Sequence, residues 1–389
     1  VETGNQKATP YPSELEVKNI PGLIGRMSVV LADIDHNKAS DLGVLLVAPT
    51  SDGGTPPAAV MMRNAGGDGA LGQFRLTLDD AASGTVPDLS GQNPFNGVFQ
   101  PTDLGTGSFP DAPGEPYGPK LETFHALDPN GDWELYLIDY ANDGGEPQKL
   151  NGGYLLNIYP APTISGLGNQ TTDEDVNLTV NFTLADYDGS VTNVTAKSMN
   201  EDYVKVEVQN FSGTSAQLVL KPQPDKNTEG DSGQAPTDPI EIVVVAQDND
   251  SNNPYADPDT PGGPGGYKTT NTFTLTIRAV NDPPTMTFVP KQVTRVGYPT
   301  DPASYLVADV DNQLGDLTLA AFSSNTKLIP NQNIDLLEGT IFGIWSGQVT
   351  MRLYPIGNRG GPAQVTLRAS DLQSDTDQLL DLTAGAPAA

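Results

Sequence analysis

Hydrophobic positions along the chain recur in short runs, not in helical stripes. RMSVVLADI (26 to 34), GVLLVAP (43 to 49), FRLTL (74 to 78), WELYLID (133 to 139) and YLLNIY (154 to 159) are strand-length segments separated by Gly, Pro and Asp. Further along the alternation is strict: Val204, Val206 and Val208 point one way, Lys205 and Glu207 the other, and Phe273, Leu275 and Ile277 repeat the pattern. The chain is therefore predicted to be all-β. A stretch at 83 to 120 is too rich in proline and glycine for an element and reads as an extended loop, long enough to need a reason.

Comparison of the chain with itself exposes a repeat of about 122 to 123 residues over its second part. PTI at 162 to 164 pairs with PTM at 284 to 286, ADYDG at 185 to 189 with ADVDN at 308 to 312, and VVVAQD at 243 to 248 with TLRASD at 366 to 371. Each copy reads as one β-sandwich module. PAPT (160 to 163) marks the entry to the first copy, and NDPP (281 to 284) is the hinge between the two. The first copy carries insertions at 224 to 239 and 248 to 266 that the second lacks. Expected, then, are an N-terminal arm at 1–14, a sandwich at 15–160, a second at 161–282, and a shorter third at 283–389 whose tail begins after Leu382. That is three β-sandwich domains in tandem.

Composition agrees and narrows the function. There are 41 glycines and 34 prolines in 389 residues, too many for long helices, while 37% apolar residues suffice for a core in each module. Acids outnumber bases 49 to 20, for a formal net charge of -29. With no basic run, nucleic acid and anionic membrane surfaces are excluded as partners. No apolar stretch approaches the roughly 20 residues of a membrane span. Absence of cysteine removes disulfides, thiol chemistry and thiolate zinc sites, leaving packing and bound ions to hold the fold. The chain begins at Val1, which leads us to expect an exported product freed of a signal peptide, extracellular or on the cell surface.

Six blocks in the first 145 residues carry a resemblance: IPGLIGRMSVVLADIDH (20 to 36), SDLGVLLVAPTSDGG (40 to 54), MMRNAGGDG (61 to 69), LTLDDAA (76 to 82), EPYG (115 to 118) and DPNGDWELYLIDYANDGG (128 to 145). In this order they resemble the P domain of proprotein convertases. The resemblance implies a jelly-roll β-sandwich that accompanies a catalytic domain without carrying a catalytic residue.

In the repeat, acids gather where strands end: TDEDV (172 to 176), ADYDG, AQDND (246 to 250) and VNDPP (280 to 284). Several carboxylates at one edge repel unless a cation lies between them, and oxygen ligands on flexible loops suit calcium. These motifs resemble those of bacterial cadherin-like and immunoglobulin-like tandem repeats, where they supply calcium ligands at domain junctions. Carried over position by position, the resemblance implies Glu174, Asp186, Asp188, Asp248, Asn281 and Asp282 as ligands for the first copy, with Asp173, Asp175 and Asp250 in reserve. For the second copy it implies Asp309, Asp311 and Asp371, although TRVG replaces the acidic cluster there.

Other chemistry finds little support. DPNGDW (128 to 133) and DYANDGG (139 to 145) place oxygens on adjacent turns, but no Glu closes a calcium loop, and turn formation is the simpler role. GTSA (213 to 216) imitates part of a serine-protease motif but precedes a strand. Histidine occurs only at His36 and His125, both read as structural, and GGPGG (262 to 266) lacks the lysine and helix of a phosphate loop. Asp79 and Asp80 are adjacent and should face opposite ways. Trp133 and Trp345 read as core residues. Five N-x-S/T sequons, at Asn169, Asn177, Asn181, Asn193 and Asn210, cluster in the second module.

The sequence thus leads us to expect a non-catalytic extracellular structural or adhesive protein, such as a fibre, sheath or adhesin subunit, with calcium-supported junctions. Its partners would be further copies of itself, as a homo-oligomer or polymer, or a surface glycan or protein ligand. The alternative is the accessory C-terminal region of a secreted subtilisin-like protease or other hydrolase.

Overall fold

A computed structural model of the protein describes residues 6–50, 53–91, 96–141, 149–230, 236–249, 266–341, 344–371 and 373–385. Among them the chain folds as three β-sandwiches in tandem, each two sheets thick around its own core. No helix among the described residues is long and apolar enough to cross a membrane.

In the first sandwich, Ile24–His36 pairs with Leu71–Leu78 in one sheet, while Leu42–Val47 lies between Ala58–Arg63 and Gly131–Asp139 in the other. The chain crosses between the sheets from Ile24–His36 to Leu42–Val47 and again from Ala58–Arg63 to Leu71–Leu78. Trp133, Phe74, Phe124 and Leu76 fill the space between the sheets. Leu42–Val47 and Ala58–Arg63 are buried on both faces, which explains their unbroken apolar sequences. One face meets the core, and the other is roofed by the stretch after Asp103, through Phe109 and Tyr117 against Leu45, Val60 and Ile138. This roof is the reason for the long turn-rich segment, and two short strands, Asn96–Phe99 and Thr102–Asp103, interrupt that segment. Arg63 pins it: Nε and Nη2 donate to the two carboxylate oxygens of Asp103 at 2.7 and 2.5 Å, and Nη1 donates to the Gly107 carbonyl at 2.6 Å.

The expected N-terminal arm is partly woven into this sandwich. Gln6–Lys7 and Ser13–Val17 both pair with Gly131–Asp139. Backbone pairing supplies what two polar residues cannot announce by periodicity.

The second and third sandwiches repeat one topology. Thr163 pairs with Ala185 as Thr285 pairs with Ala308, and in each a short strand lies parallel to the last long one, Gln170–Asp173 on Lys268–Arg278 and Gln292–Arg295 on Asp375–Gly385. Phe273, Leu275 and Ile277 are buried together with Val204, as their alternation requires. The last strand runs to Gly385, past the point where a tail was expected. Trp133 is completely buried; the side chain of Trp345 lies outside the described residues.

Candidate metal centre

The acidic segments of the repeat fall at two separate places. One lies where the second sandwich meets the third, the other at the opposite end of the second sandwich, near the first.

At the second junction, the strand Gln170–Asp173 runs into a turn in which Asp175 takes a left-handed conformation, φ 60°. Glu174 is 2% exposed. Its Oε1 accepts the Val280 N–H at 2.6 Å and its Oε2 accepts the Asn227 side-chain amide at 3.4 Å. Burial raises its pKa, against the pull of those two donors. Asp173 pairs with Arg278 at 2.7 Å.

The loop after Pro222 is an insertion with no counterpart in the third sandwich, and it brings a further carboxylate. Thr228 sews it to the neighbouring strand: its N–H donates to the Ile277 carbonyl at 2.8 Å, and its Oγ1 accepts the Ile277 N–H at 3.0 Å. Asp225, also left-handed at φ 57°, thereby lies beside Asp175, whose Oδ1 accepts the Asp225 N–H at 3.4 Å.

The linker closes the site from the other side. Asn281 Nδ2 donates to Asp371 Oδ2 at 2.8 Å, and the Asp282 N–H donates to Asp311 Oδ2. Asp309 Oδ1 accepts the backbone N–H groups of Asp311 and Asn312 at 2.9 and 2.8 Å, a side-chain turn that aims Oδ2 inward. Asp175, Asp225 and Asp282 each offer an oxygen within 4.8 Å of the others, the one such group among the described residues. Asp282 Oδ2 and Asp309 Oδ2 are shielded from solvent and have no hydrogen-bond partner among the described residues. Burial raises the Asp282 pKa, and the charges of Asp311, Asp175, Asp225 and Asp309 raise it further. Asp371 behaves oppositely. Burial disfavours its charge, but donors from Ser374, Asn281 and Gln373 outweigh that and hold its pKa at about 2. An all-oxygen donor set on loops, without imidazole or sulfur, fits a hard divalent cation such as calcium.

Asp186, Asp188 and Asp248 lie at the other end of the module. The ligand set implied for one copy is therefore split: Glu174, Asn281 and Asp282 share a site with Asp309, Asp311 and Asp371 of the next copy. Asp248 is 2% exposed and grips Tyr267, accepting its N–H on Oδ1 at 2.8 Å and donating its own N–H to the Tyr267 carbonyl at 3.1 Å. Both carboxylate oxygens of Asp186 are buried with no hydrogen-bond partner among the described residues. Asp250 lies outside the described residues. On the first sandwich's side the nearby charge is a guanidinium: Arg26 pairs with Asp79, and its carbon lies 5.8 Å from the Tyr159 ring centre.

Elsewhere the side chains serve structure. Asp128 and Asn130 close a turn, and Asn130 also binds both backbone groups of Ile20, at 2.9 and 2.8 Å. Asp80 accepts the N–H groups of Leu121 and Glu122 while Asp79 faces Arg26, so the two diverge. His36 is buried, with Nδ1 accepting the Lys38 N–H at 3.2 Å. Of DYANDGG, residues 142 to 145 lie outside the described residues.

Neither protein-family models nor curated proteins match the chain. Among solved structures, it is similar to the titin domains Z1Z2 in complex with telethonin, with 11% identity over 59% of this chain and 99% of that one and a TM-score of 0.25. It is also similar to the tandem immunoglobulin repeats of Dlar, with 13% identity over 58% and 99% and a TM-score of 0.20. A third, an endo-fucoidan hydrolase of glycoside hydrolase family 107, has 10% identity over 66% of this chain and 36% of that one, with a TM-score of 0.23. Overlaps this slight carry no argument about function; the sandwich assignment rests on the strand order itself.

Proposed function

We propose that the protein is a non-catalytic structural or adhesive component of the cell exterior, built from tandem sandwiches whose second junction is organised by calcium. The observation that carries the reading is the linker carboxylate of Asp282. It sits with one shielded oxygen that has no hydrogen-bond partner among the described residues, surrounded by Asp175, Asp225, Asp309 and Asp311. Four like charges around a fifth are costly unless a cation compensates them. A divalent ion would fasten Asp175 and Asp225 of one sandwich to Asp309 and Asp311 of the next, with Glu174 and Asp371 holding the linker that carries Asp282. The resemblance of the first 145 residues to P domains and of the repeat to cadherin-like modules supports the same reading, as does the surplus of acids over bases in the whole chain.

Melting curves recorded in calcium and in chelator test it. A ligand bound only by the folded state, at 100 times its dissociation constant, adds about 2.7 kcal/mol. Identical midpoints would reject the calcium junction. Electron microscopy of the purified protein with and without calcium would show whether copies assemble.

A further inference from the structure

The outer face of the second sandwich carries a groove that the junction chemistry leaves unused. The edge strand Thr163–Ser165 is only three residues long. The chain then turns away at Gly166, φ 92°, exposing a step beside the strand Leu178–Ala185. The resulting cleft, of about 300 Å³, is lined by Asn181, Thr183, Asn210, Ser215 and Gln217 and contains no charged residue. In a chain of net charge -29, such a neutral patch is selective in itself.

Its amides are tied into a directional chain from the turn after Gln209 across the strands Ser215–Pro222 and Leu178–Ala185. Asn210 Nδ2 donates to Gln217 Oε1, and Gln217 Nε2 donates to Asn181 Oδ1 at 2.9 Å. Asn210 is fixed by a left-handed backbone, φ 52°, in a hairpin turn locked by the Ser215 N–H donating to Ser212 Oγ at 3.2 Å. Among the described residues these bonds fix the amide planes and leave both N–H groups of Asn181, one each of Gln217 and Asn210, and the Asn210 carbonyl without a partner. Oriented neutral donors and acceptors match the hydroxyl groups of sugars, and the low cost of ordering already fixed amides favours binding.

We propose that this groove is a binding site for a neutral polysaccharide chain. It uses none of the junction carboxylates, so it stands or falls separately from the calcium reading. Affinity electrophoresis of the full chain in gels cast with dextran, laminarin or galactomannan, and with alginate as the anionic control, tests it. The expected result is retardation by at least one neutral polymer and none by alginate, with affinity about tenfold weaker in Gln217→Glu and Asn181→Ala. Both changes are on the surface, and melting curves verify that each variant folds. Absence of retardation by all three neutral polymers, retardation by alginate alone, or retardation unchanged in both variants would overturn the proposal. So would mass spectrometry finding a covalent glycan on Asn181 or Asn210, since each stands in a sequon and its own glycan would fill the cleft.

Discussion

Tyr267 of the second sandwich seats its ring against Gly25 of the first. A Cβ added to Gly25 would lie 2.7 Å from Tyr267 Cγ and 3.1 Å from the Tyr159 carbonyl oxygen, and the tyrosine is 1% exposed. From the other side Asp248 holds the tyrosine backbone, and Gly266 passes so close that a Cβ there would meet the Asp248 carbonyl oxygen at 2.1 Å. The first junction is therefore a packed one, formed by a ring in a slot that only glycine leaves open. The second is an electrostatic one.

Gly25→Ala should force the ring out of its slot and destabilise the junction by about 1–3 kcal/mol, the usual cost of overpacking. Tyr267→Ala should cost more, about 3–5 kcal/mol, because it empties a large buried volume. Urea unfolding gives the size of each loss, and hydrogen exchange at the amides near 25 and 267 gives its location. Wild-type exchange in Gly25→Ala would mean that the slot has room the geometry denies it.

Calcium affinity should depend on Asp225 and not on Asp186. Asp225→Asn removes one of the three clustered oxygens at the second junction and is expected to weaken binding about tenfold by titration calorimetry, since affinity follows the charge count of the ligands. Asp186→Asn, at the far end of the module, should leave that affinity unchanged. In chelator it should raise stability by about 1 kcal/mol, because both its oxygens are buried with no hydrogen-bond partner among the described residues and a neutral amide costs less to bury than a charge. Equal effects of the two changes would contradict the division into separate junctions.

These two cases show what the sequence makes legible. The strands could be read because alternation such as Phe273, Leu275 and Ile277 is a local consequence of a one-sided core. Asp309 and Asp371 could be named because the repeat places acids at equivalent strand ends, and Asp282 because the linker resembles those of cadherin-like repeats. Asp225 could not: it belongs to an insertion without a counterpart, and its nearness to Asp175 arises from hydrogen bonds between Thr228 and Ile277, 49 residues apart. Gly25 and Tyr267 share no motif, and only packing brings them together. The assignment of ligands copy by copy also failed to anticipate that the proposed ion site draws on two copies, a property of the junction and not of either module's sequence.

The two kinds of carboxylate at the second junction predict opposite responses to pH. Burial and neighbouring acids raise the pKa of Asp282, and burial raises that of Glu174, so the folded state binds protons more readily there than the unfolded chain. Without calcium, stability should therefore increase as pH falls from neutral toward the ordinary carboxylate range. Asp371, held at about 2, contributes stability that is present above its unfolded value near 3.9 and is lost as pH falls toward 2. Melting temperature in chelator should pass through a maximum on the acid side of neutrality, and Asp282→Asn should flatten the rise. A melting temperature that falls steadily from pH 7 downward in chelator would contradict this balance.

Arg63 gives the last test, because it explains the long roof over the first sandwich. The guanidinium is 8% exposed, is bonded to both oxygens of Asp103 and to the Gly107 carbonyl, and lies 5.8 Å from the Phe109 ring centre. Lysine keeps the charge but not the planar fork, so Arg63→Lys should lose part of the anchorage. Arg63→Ala removes the charged hydrogen bonds to Asp103 and Gly107 and should cost about 1.5–3 kcal/mol. Beyond that loss, the roof itself should loosen: limited proteolysis should cut between residues 104 and 120 faster in Arg63→Ala than in wild type, with Arg63→Lys between them. If the alanine variant is destabilised but is cut there no faster under folding conditions, Arg63 supports the sheet and does not pin the roof.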